Sequence, residues 1–229
     1  MNYNHVIIVA GGSGTRMNHS LPKQYLKLGT KPILMHTIEA FYMAQSKPQI
    51  VVVIHPDMGQ LWKKLCREYN FQISHHIIAG GPTRFQSVQN GITYLKSTID
   101  QPNLHCIAVH DGARPLIRTK IIDLSFEMAK EKRAVIVGCK STNSVRIEKD
   151  GTNKSVNRDS VWLIQTPQTF GADLLFEAYQ QREQDTFTDD ASVVEKLGNT
   201  ITLLEGHYSN LKITYKEDID IAQLYLQSL

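Results

Sequence analysis

Apolar residues in this chain fall into short continuous runs separated by longer stretches with helical period. The runs at 6–10, 50–54, 106–110 and 134–139 lack the alternation of a strand with one wet face, and so predict strands covered on both faces. Between them, Leu34, Ile38, Phe41 and Tyr42 fall on one helical face. Phe85, Val88, Ile92 and Leu95 form a second face at spacings of three and four, and Leu61, Leu65 and Tyr69 suggest a third. Strands alternating with helices predict an α/β architecture, an open, doubly wound, mostly parallel sheet with right-handed crossovers. Ligands bind such sheets beyond the carboxyl ends of the strands, so the loops there are where chemistry is expected.

Later segments follow the same logic, with one exception. A return to the sheet is expected at 161–164, helices at about 172–181 and 189–197, strands at 201–204 and 211–214, and a last helix from about Glu217. The segment 141–159 instead alternates Val145, Ile147 and Val156 with polar residues around Lys149-Asp150-Gly151-Thr152, the pattern of a hairpin with little core of its own. It reads as a dimerisation arm or as a surface loop. No repeat, low-complexity stretch or linker divides the chain, so residues 1–229 are expected to form one domain.

Composition narrows the function. Apolar residues make up 41% and charged residues 21%, as in ordinary soluble enzymes. A net charge of +3 is too small to argue for nucleic acid or a membrane surface, so any cationic site is local. No acidic residue precedes Glu39, whereas Arg16, Lys23, Lys27 and Lys31 fall in that window. Cys66, Cys106 and Cys139 contain no C-x-x-C pair and read as reduced thiols. The run at 6–10 is too short for a secretory or membrane-spanning segment, and a cytoplasmic location is expected.

The loop after the first strand reads Ala10-Gly11-Gly12-Ser13-Gly14-Thr15-Arg16-Met17. Glycines let the backbone approach a phosphate and aim N–H groups at it. The Gly-Lys-Ser/Thr ending of a phosphate-binding P-loop is missing. The dinucleotide fingerprint is half met, because Met17 stands where its third glycine belongs. The remaining pattern, A-G-G-x-G-T-R-[ML] followed by P-K-Q, is that of nucleotidyltransferases and is matched throughout, with Pro22-Lys23-Gln24 following. Arg16 and Lys23 would balance triphosphate charge that backbone donors alone cannot, and stabilise the departing pyrophosphate.

Further segments qualify as site residues, most with a plainer reading beside the functional one. Asp111, in His110-Asp111-Gly112-Ala113-Arg114-Pro115, ends a buried strand and could hold Mg²⁺ or cap a helix. Gly80-Gly81-Pro82-Thr83-Arg84, then Ser87, opens a helix after a strand and suits base or ribose recognition; Arg84 reads equally as a surface charge. Arg158, Thr166-Pro167-Gln168 and Thr188-Asp189-Asp190 bound apolar runs, with Thr188 resembling a helix N-cap. Lys212 interrupts an apolar run, where it would contact a phosphate or snorkel to water.

Seven landmarks in order carry a resemblance over nearly the whole chain: A-G-G-S-G-T-R-M at 10–17, P-K-Q-Y at 22–25, H-D-G-A-R-P at 110–115, N-R-D-S-V-W at 157–162, Q-T-P-Q-T-F at 165–170, T-D-D-A-S at 188–192 and N-L-K-I-T at 210–214. They resemble the 2-C-methyl-D-erythritol 4-phosphate cytidylyltransferases of non-mevalonate isoprenoid synthesis. The neighbouring ribitol-5-phosphate cytidylyltransferases usually read H-D-S-V-R-P-F at the third landmark. Pro82 and Asn143-Ser144 depart from the family's usual residues. The resemblance implies CTP as nucleotide, a small polyol phosphate as acceptor and Mg²⁺ near Asp111. It implies nucleotide contacts from Ala10, Gly11, Gly12, Gly14, Thr15, Gly81, Ser87 and Ala113, and acceptor contacts from Ser144, Arg158, Thr166, Thr188 and Lys212. Arg16, Lys23, Arg158 and Lys212 would serve catalysis, and a homodimer would pair its arms so that Arg158 reaches the partner's site. A dinucleotide-dependent oxidoreductase and a catalytically silent nucleotide-binding regulator are the rivals from other classes.

Overall fold

The computed structural model describes residues 3–12, 21–98 and 104–227. In chain order the elements are β1 (Tyr3–Ala10), a short pair β2 (Lys27–Leu28) and β3 (Lys31–Pro32), α1 (Ile33–Met43), β4 (Gln49–Ile54), α2 (Gly59–Glu68), β5 (His76–Ala79), α3 (Arg84–Thr98) and β6 (Leu104–Asp111). There follow α4 (Thr119–Lys132), β7 (Ala134–Lys140), β8 (Val145–Lys149), β9 (Thr152–Val156), β10 (Trp162–Gly171), α5 (Ala172–Ala178), α6 (Asp190–Glu195), β11 (Thr202–Glu205) and α7 (Glu217–Gln227). None of the helices is long and apolar enough to cross a membrane, among the described residues.

Seven strands form the central sheet in the order β11-β7-β10-β6-β1-β4-β5. β1 pairs parallel with both β4 and β6, and only β10 runs antiparallel, to β6 on one side and β7 on the other. The expected doubly wound, mostly parallel sheet is therefore observed. Strand order reverses at β1: β4 and β5 extend the sheet one way and β6 the other. The crevice at such a reversal is the place for a ligand. The register brings Val9 opposite Asp111, so the glycine loop and the aspartate loop leave the sheet side by side.

Both faces of the sheet are covered, which explains the unbroken apolar runs. Val6, Ile8 and Ala10 point to the layer made by α1, Trp62 of α2, and Ile122 and Phe126 of α4. Ile7, Val51 and Val53 point the other way, to Phe85, Val88, Ile92 and Leu95 of α3 and the residues of α5 and α6. A small third cluster, Leu28, Ile33, Leu116, Ile213 and Ala222, seats α7.

Three expectations need correction. Tyr42 is 55% exposed, and Met35 fills the buried face of α1 instead. Residues 211–214 form no strand: past the end of β6, among the described residues, the segment has one backbone bond, from Ile213 N–H to the Ala113 carbonyl at 2.9 Å. Asp218 then takes the Thr214 and Tyr215 N–H groups at 2.7 and 2.8 Å and turns the chain into α7. The returning strand at 161–164 is longer than expected, reaching Gly171. The expected hairpin is present as β8 and β9, turning at Asp150 (φ 52°) and Gly151 (φ 75°), the two positive φ values of a tight primed turn. It is exposed along its length, with Ile147 61% exposed.

Gly91 of α3 lets the helix lie on β1: a Cβ there would come within 2.9 Å of Ile7 Cγ2. Gly91→Ala is expected to destabilise by about 1–3 kcal/mol despite its better helix propensity, and Ile7→Ala by about 2–5 kcal/mol. The added methyl fills the vacated space, so the double variant should cost less than the sum in urea unfolding. Additive losses would refute this packing account.

Candidate active site

Two adjoining clefts open at the carboxyl ends of β1 and β6. The first has a volume of about 300 Å³ and is lined by Ala10, Gly11, Gly12, Lys23, Gly81, Arg84, Ser87, Asp111, Ala113 and Lys212, with Thr214 at its edge. That volume lies in the range of small-molecule sites. The second is lined by Gln165, Thr166, Gln168, Thr188 and Asp189, and shares Arg84, Asp111 and Lys212 with the first. Gly14, Thr15 and Arg16 lie outside the described residues. Ser144 and Arg158 line neither cleft within one chain; both are exposed, and Arg158 donates to the Thr142 carbonyl at 3.4 Å.

Buried glutamine holds the first loop in place. The side chain of Gln24 donates to the carbonyls of Ala10 at 2.7 Å and Gly12 at 3.0 Å. This fixes Lys23, its neighbour in a short 3-10 turn, against the glycine loop. The base loop is held differently. Ser87 Oγ accepts the Gly81 N–H at 3.1 Å and donates to the Thr83 carbonyl at 2.8 Å. Gly112 must be glycine for a close approach, since a Cβ would stand 2.9 Å from that of Ala10. The Gly at the third landmark thus lets the loops after β1 and β6 approach each other.

Asp111 is the centre of charge. Lys212 Nζ lies 2.9 Å from its Oδ2 and Arg114 Nε 3.3 Å from the same oxygen, while Arg84 Nε lies 3.5 Å from Oδ1. Burial pushes the Asp111 carboxyl up, but Arg84, Lys212 and Arg114 outweigh it and hold the group far below the usual carboxylate range. Asp111 is therefore held in its ionised form. Arg84, equally consistent in sequence with a surface charge, is a partly buried bidentate partner of Asp190, at 3.0 and 2.7 Å. Desolvation lowers its pKa, but Asp190 and Asp111 reverse this and leave it raised.

Behind the aspartate lies a neutral histidine. His110 is fully buried, edge-on to Phe41 at 4.9 Å. Its Nε2 faces the Arg114 carbonyl at 3.2 Å, so Nε2 carries the proton and Nδ1 accepts from Thr166 Oγ1 at 3.0 Å. Thr166 Oγ1 in turn accepts the Asp111 N–H at 3.0 Å. The chain of bonds orients Asp111 through its backbone. Thr188 lines the second cleft but is not the helix cap. Asp189 is: its side chain accepts the Ser192 N–H at 2.9 Å, in a capping box with the Ser192 hydroxyl. Gln168 fastens that turn to β10, donating to Asp189 Oδ2 at 2.8 Å and accepting the Ala191 N–H at 2.9 Å.

The sequence points to no role for Gln24 or Tyr179, and places Gln168 and Asp190 only within polar clusters. Gln24, Gln168 and Asp190 sit inside the quoted landmarks, so the signal was present as position; Tyr179, at the C-terminal cap of α5, carries none.

A glycine loop and an aspartate loop side by side at the reversal of a doubly wound sheet, with Met17 in place of a third glycine, set this chain among the nucleotidyltransferases and apart from the dinucleotide-dependent dehydrogenases. The family model for 2-C-methyl-D-erythritol 4-phosphate cytidylyltransferase matches residues 4–228, and the chain belongs to that family. The cytidylyltransferase of that name from Azobacteroides pseudotrichonymphae is 47% identical over 225 residues, covering 97% of this chain and 98% of the relative. That of Phocaeicola vulgatus is 44% identical over 222 residues, covering 97% and 99%. The crystal structure of 4-diphosphocytidyl-2C-methyl-D-erythritol synthase from Anaerococcus prevotii superposes with a TM-score of 0.83 at 28% identity, covering 99% of this chain and 96% of the other. The chain is a transferase of isoprenoid synthesis.

Burial lowers the His110 pKa to about 4. With an unfolded value near 6.5, the unfolded state binds more protons between those limits. Stability from neutral His110 is thus complete above about pH 6.5 and lost as pH falls toward 4. Imidazole resonances should show His110 neutral at about pH 5.5, well above that folded value; a protonated ring there would contradict the bonding assigned to it.

Proposed function

We infer that the paired clefts transfer a cytidylyl group from CTP to 2-C-methyl-D-erythritol 4-phosphate, giving 4-diphosphocytidyl-2-C-methyl-D-erythritol and pyrophosphate. One observation carries the assignment of roles: two adjoining clefts share a wall of Arg84, Asp111 and Lys212. A nucleotide in the first and a phosphate monoester in the second would meet at that wall. An oxygen of the acceptor phosphate attacks the α-phosphorus of CTP. The new P–O bond forms as the bond to the β-phosphate oxygen breaks, and pyrophosphate leaves with the electron pair.

No general base is required, because a phosphate monoester is already largely ionised near neutral pH. Asp111 would be unsuited to that task, since its surrounding cations hold its proton affinity far too low. Catalysis then comes from position and charge. Lys23 and Arg16 would balance the triphosphate charge, Gly81 and Ser87 would hold the cytidine, and Lys212 and Thr188 would receive the acceptor phosphate.

Magnesium belongs to this reading. Among the described residues no three His, Cys, Asp or Glu side chains cluster, but Mg²⁺ at a triphosphate needs only one or two carboxylates, with phosphate oxygens and water completing its shell. Asp111, ionised and lining both clefts, fits that requirement. When bound, the ion would neutralise phosphate oxygens and favour departure of pyrophosphate.

The reading also includes a cytoplasmic homodimer joined through the 141–159 arm. Ile147 on the hairpin, with Leu163 and Tyr208 at its root, is more than half exposed, an apolar surface that a second copy would cover. Arg158 and Ser144 would then serve the partner's cleft. Deleting residues 144–157 is expected to give a monomer by sedimentation with turnover lost; an active monomer would refute the arm's role.

The deciding assay supplies CTP and Mg²⁺ with either methylerythritol phosphate or ribitol 5-phosphate and measures pyrophosphate. Release with the first is expected, and Lys23→Ala or Lys212→Ala should lower kcat on the order of 10²-fold or more. Turnover by Lys23→Ala at the wild-type rate would overturn its role, release with ribitol phosphate alone would change the acceptor, and NAD(P) binding without CTP binding would reject the reaction.

A further inference from the structure

Arg84 occupies an unusual place in the shared wall. Its two terminal nitrogens are fixed on the Asp190 carboxylate, which is fully buried in α6. Its remaining nitrogen, Nε, faces Asp111. Asp190 is held from behind by the Tyr179 hydroxyl at 2.5 Å, and Tyr179 stacks on Phe85, the neighbour of Arg84, at 4.7 Å. Asp190 directly follows Thr188-Asp189 of the second cleft. The guanidinium therefore spans from the turn that borders the second cleft to the carboxylate common to both.

We propose that Arg84 is a positioning residue that sets the acceptor-side turn, Thr188–Asp190, at a fixed distance from Asp111, and so aligns the acceptor phosphate with the nucleotide. The inference rests on the reading of the two clefts given above. It does not make Arg84 a nucleotide ligand. The base loop before it is held by Ser87, through Gly81 and Thr83, and the glycine loop by Gln24. Neither fastening involves Arg84. Loss of the Arg84 fork frees the acceptor side while leaving the nucleotide side in place.

Lysine keeps the charge but cannot reproduce a planar two-point contact. Arg84→Lys should therefore lower kcat/KM for the acceptor by about 10-fold or more, through both a lower kcat and a higher KM. The Kd for CTP, measured by calorimetry without acceptor, should stay within about 3-fold of wild type. Asp173→Asn, which breaks the exposed pair with Arg133, should behave as wild type in both measurements. An equal loss of CTP affinity would make Arg84 a nucleotide ligand and overturn the proposal. Acceptor kinetics within about 2-fold of wild type, with only a lower Tm, would make it a structural residue and also overturn it. Should Arg84→Lys not fold, Tyr179→Phe decides: about a 3-fold loss in kcat/KM for the acceptor at unchanged CTP affinity is expected from one lost hydrogen bond, and wild-type kinetics overturn the proposal. Wild-type release of pyrophosphate tests the reaction separately, so the two ideas fail in different experiments.

Discussion

A carboxylate removed from water is unfavourable unless cations and hydrogen-bond donors surround it, and Asp111 is placed where that requirement organises the whole site. It sits at the end of β6, buried, with Lys212, Arg114 and Arg84 converging on it from three separate parts of the chain. Each cation brings a segment with it: Arg84 the start of α3, Arg114 the turn after β6, and Lys212 the stretch before α7. The contact network at one carboxylate therefore assembles loops that the sheet alone would leave apart. It also concentrates positive charge at the wall shared by the two clefts, where the proposed reaction would bring a triphosphate.

The sheet supplies the location and the charges supply the shape. Because strand order reverses at β1, the loops after β1 and β6 diverge from adjacent points and leave a crevice between them. The register of Val9 with Asp111 sets the depth of that crevice. Gly112, with no room for a Cβ beside Ala10, keeps the two loops in contact at its floor. A sequence bearing serine there, as ribitol-5-phosphate cytidylyltransferases usually do, would have to shift one loop against the other. The third landmark thus has a steric meaning beyond its value as a signature.

Much of this was legible in the residue pattern. Unbroken apolar runs specify strands buried on both faces, and the four clearest runs are all central or near-central strands. Ala10, Gly11 and Gly12 of the glycine loop line one cleft with Lys23, Asp111, Ser87 and Lys212, as their positions implied. What the pattern did not show were the residues that hold others. Arg84 looks like a surface charge because nothing local marks its partner, which lies 106 positions away. Gln24 and Gln168 act through backbone groups, whose positions depend on the fold. At 211–214 the error ran the other way: an apolar alternation suggested a strand, yet the neighbouring strand has already ended there, and among the described residues the segment's one backbone bond is to the turn at Ala113. The seating of Ile213 in the cluster under α7 gives that apolar pattern its meaning without a ladder.

The three cations at Asp111 are not equivalent, and their differences suit them to different tasks. Arg84 has a second, bidentate anchor on Asp190, and Arg114 has one on the Asn210 carbonyl at 2.9 Å. Both are committed twice, so moving either would leave a buried acceptor unmatched. Lys212 is 40% exposed, and among the described residues Asp111 is its only ion-pair partner. Its compact ammonium on a flexible stem is, in the proposed reaction, the group that would turn from the carboxylate to an incoming phosphate. The two arginines keep Asp111 ionised and oriented when it does. The fixed pair thus maintains the electrostatic frame of the site, and the lysine is the member suited to the proposed exchange of the carboxylate for a phosphate.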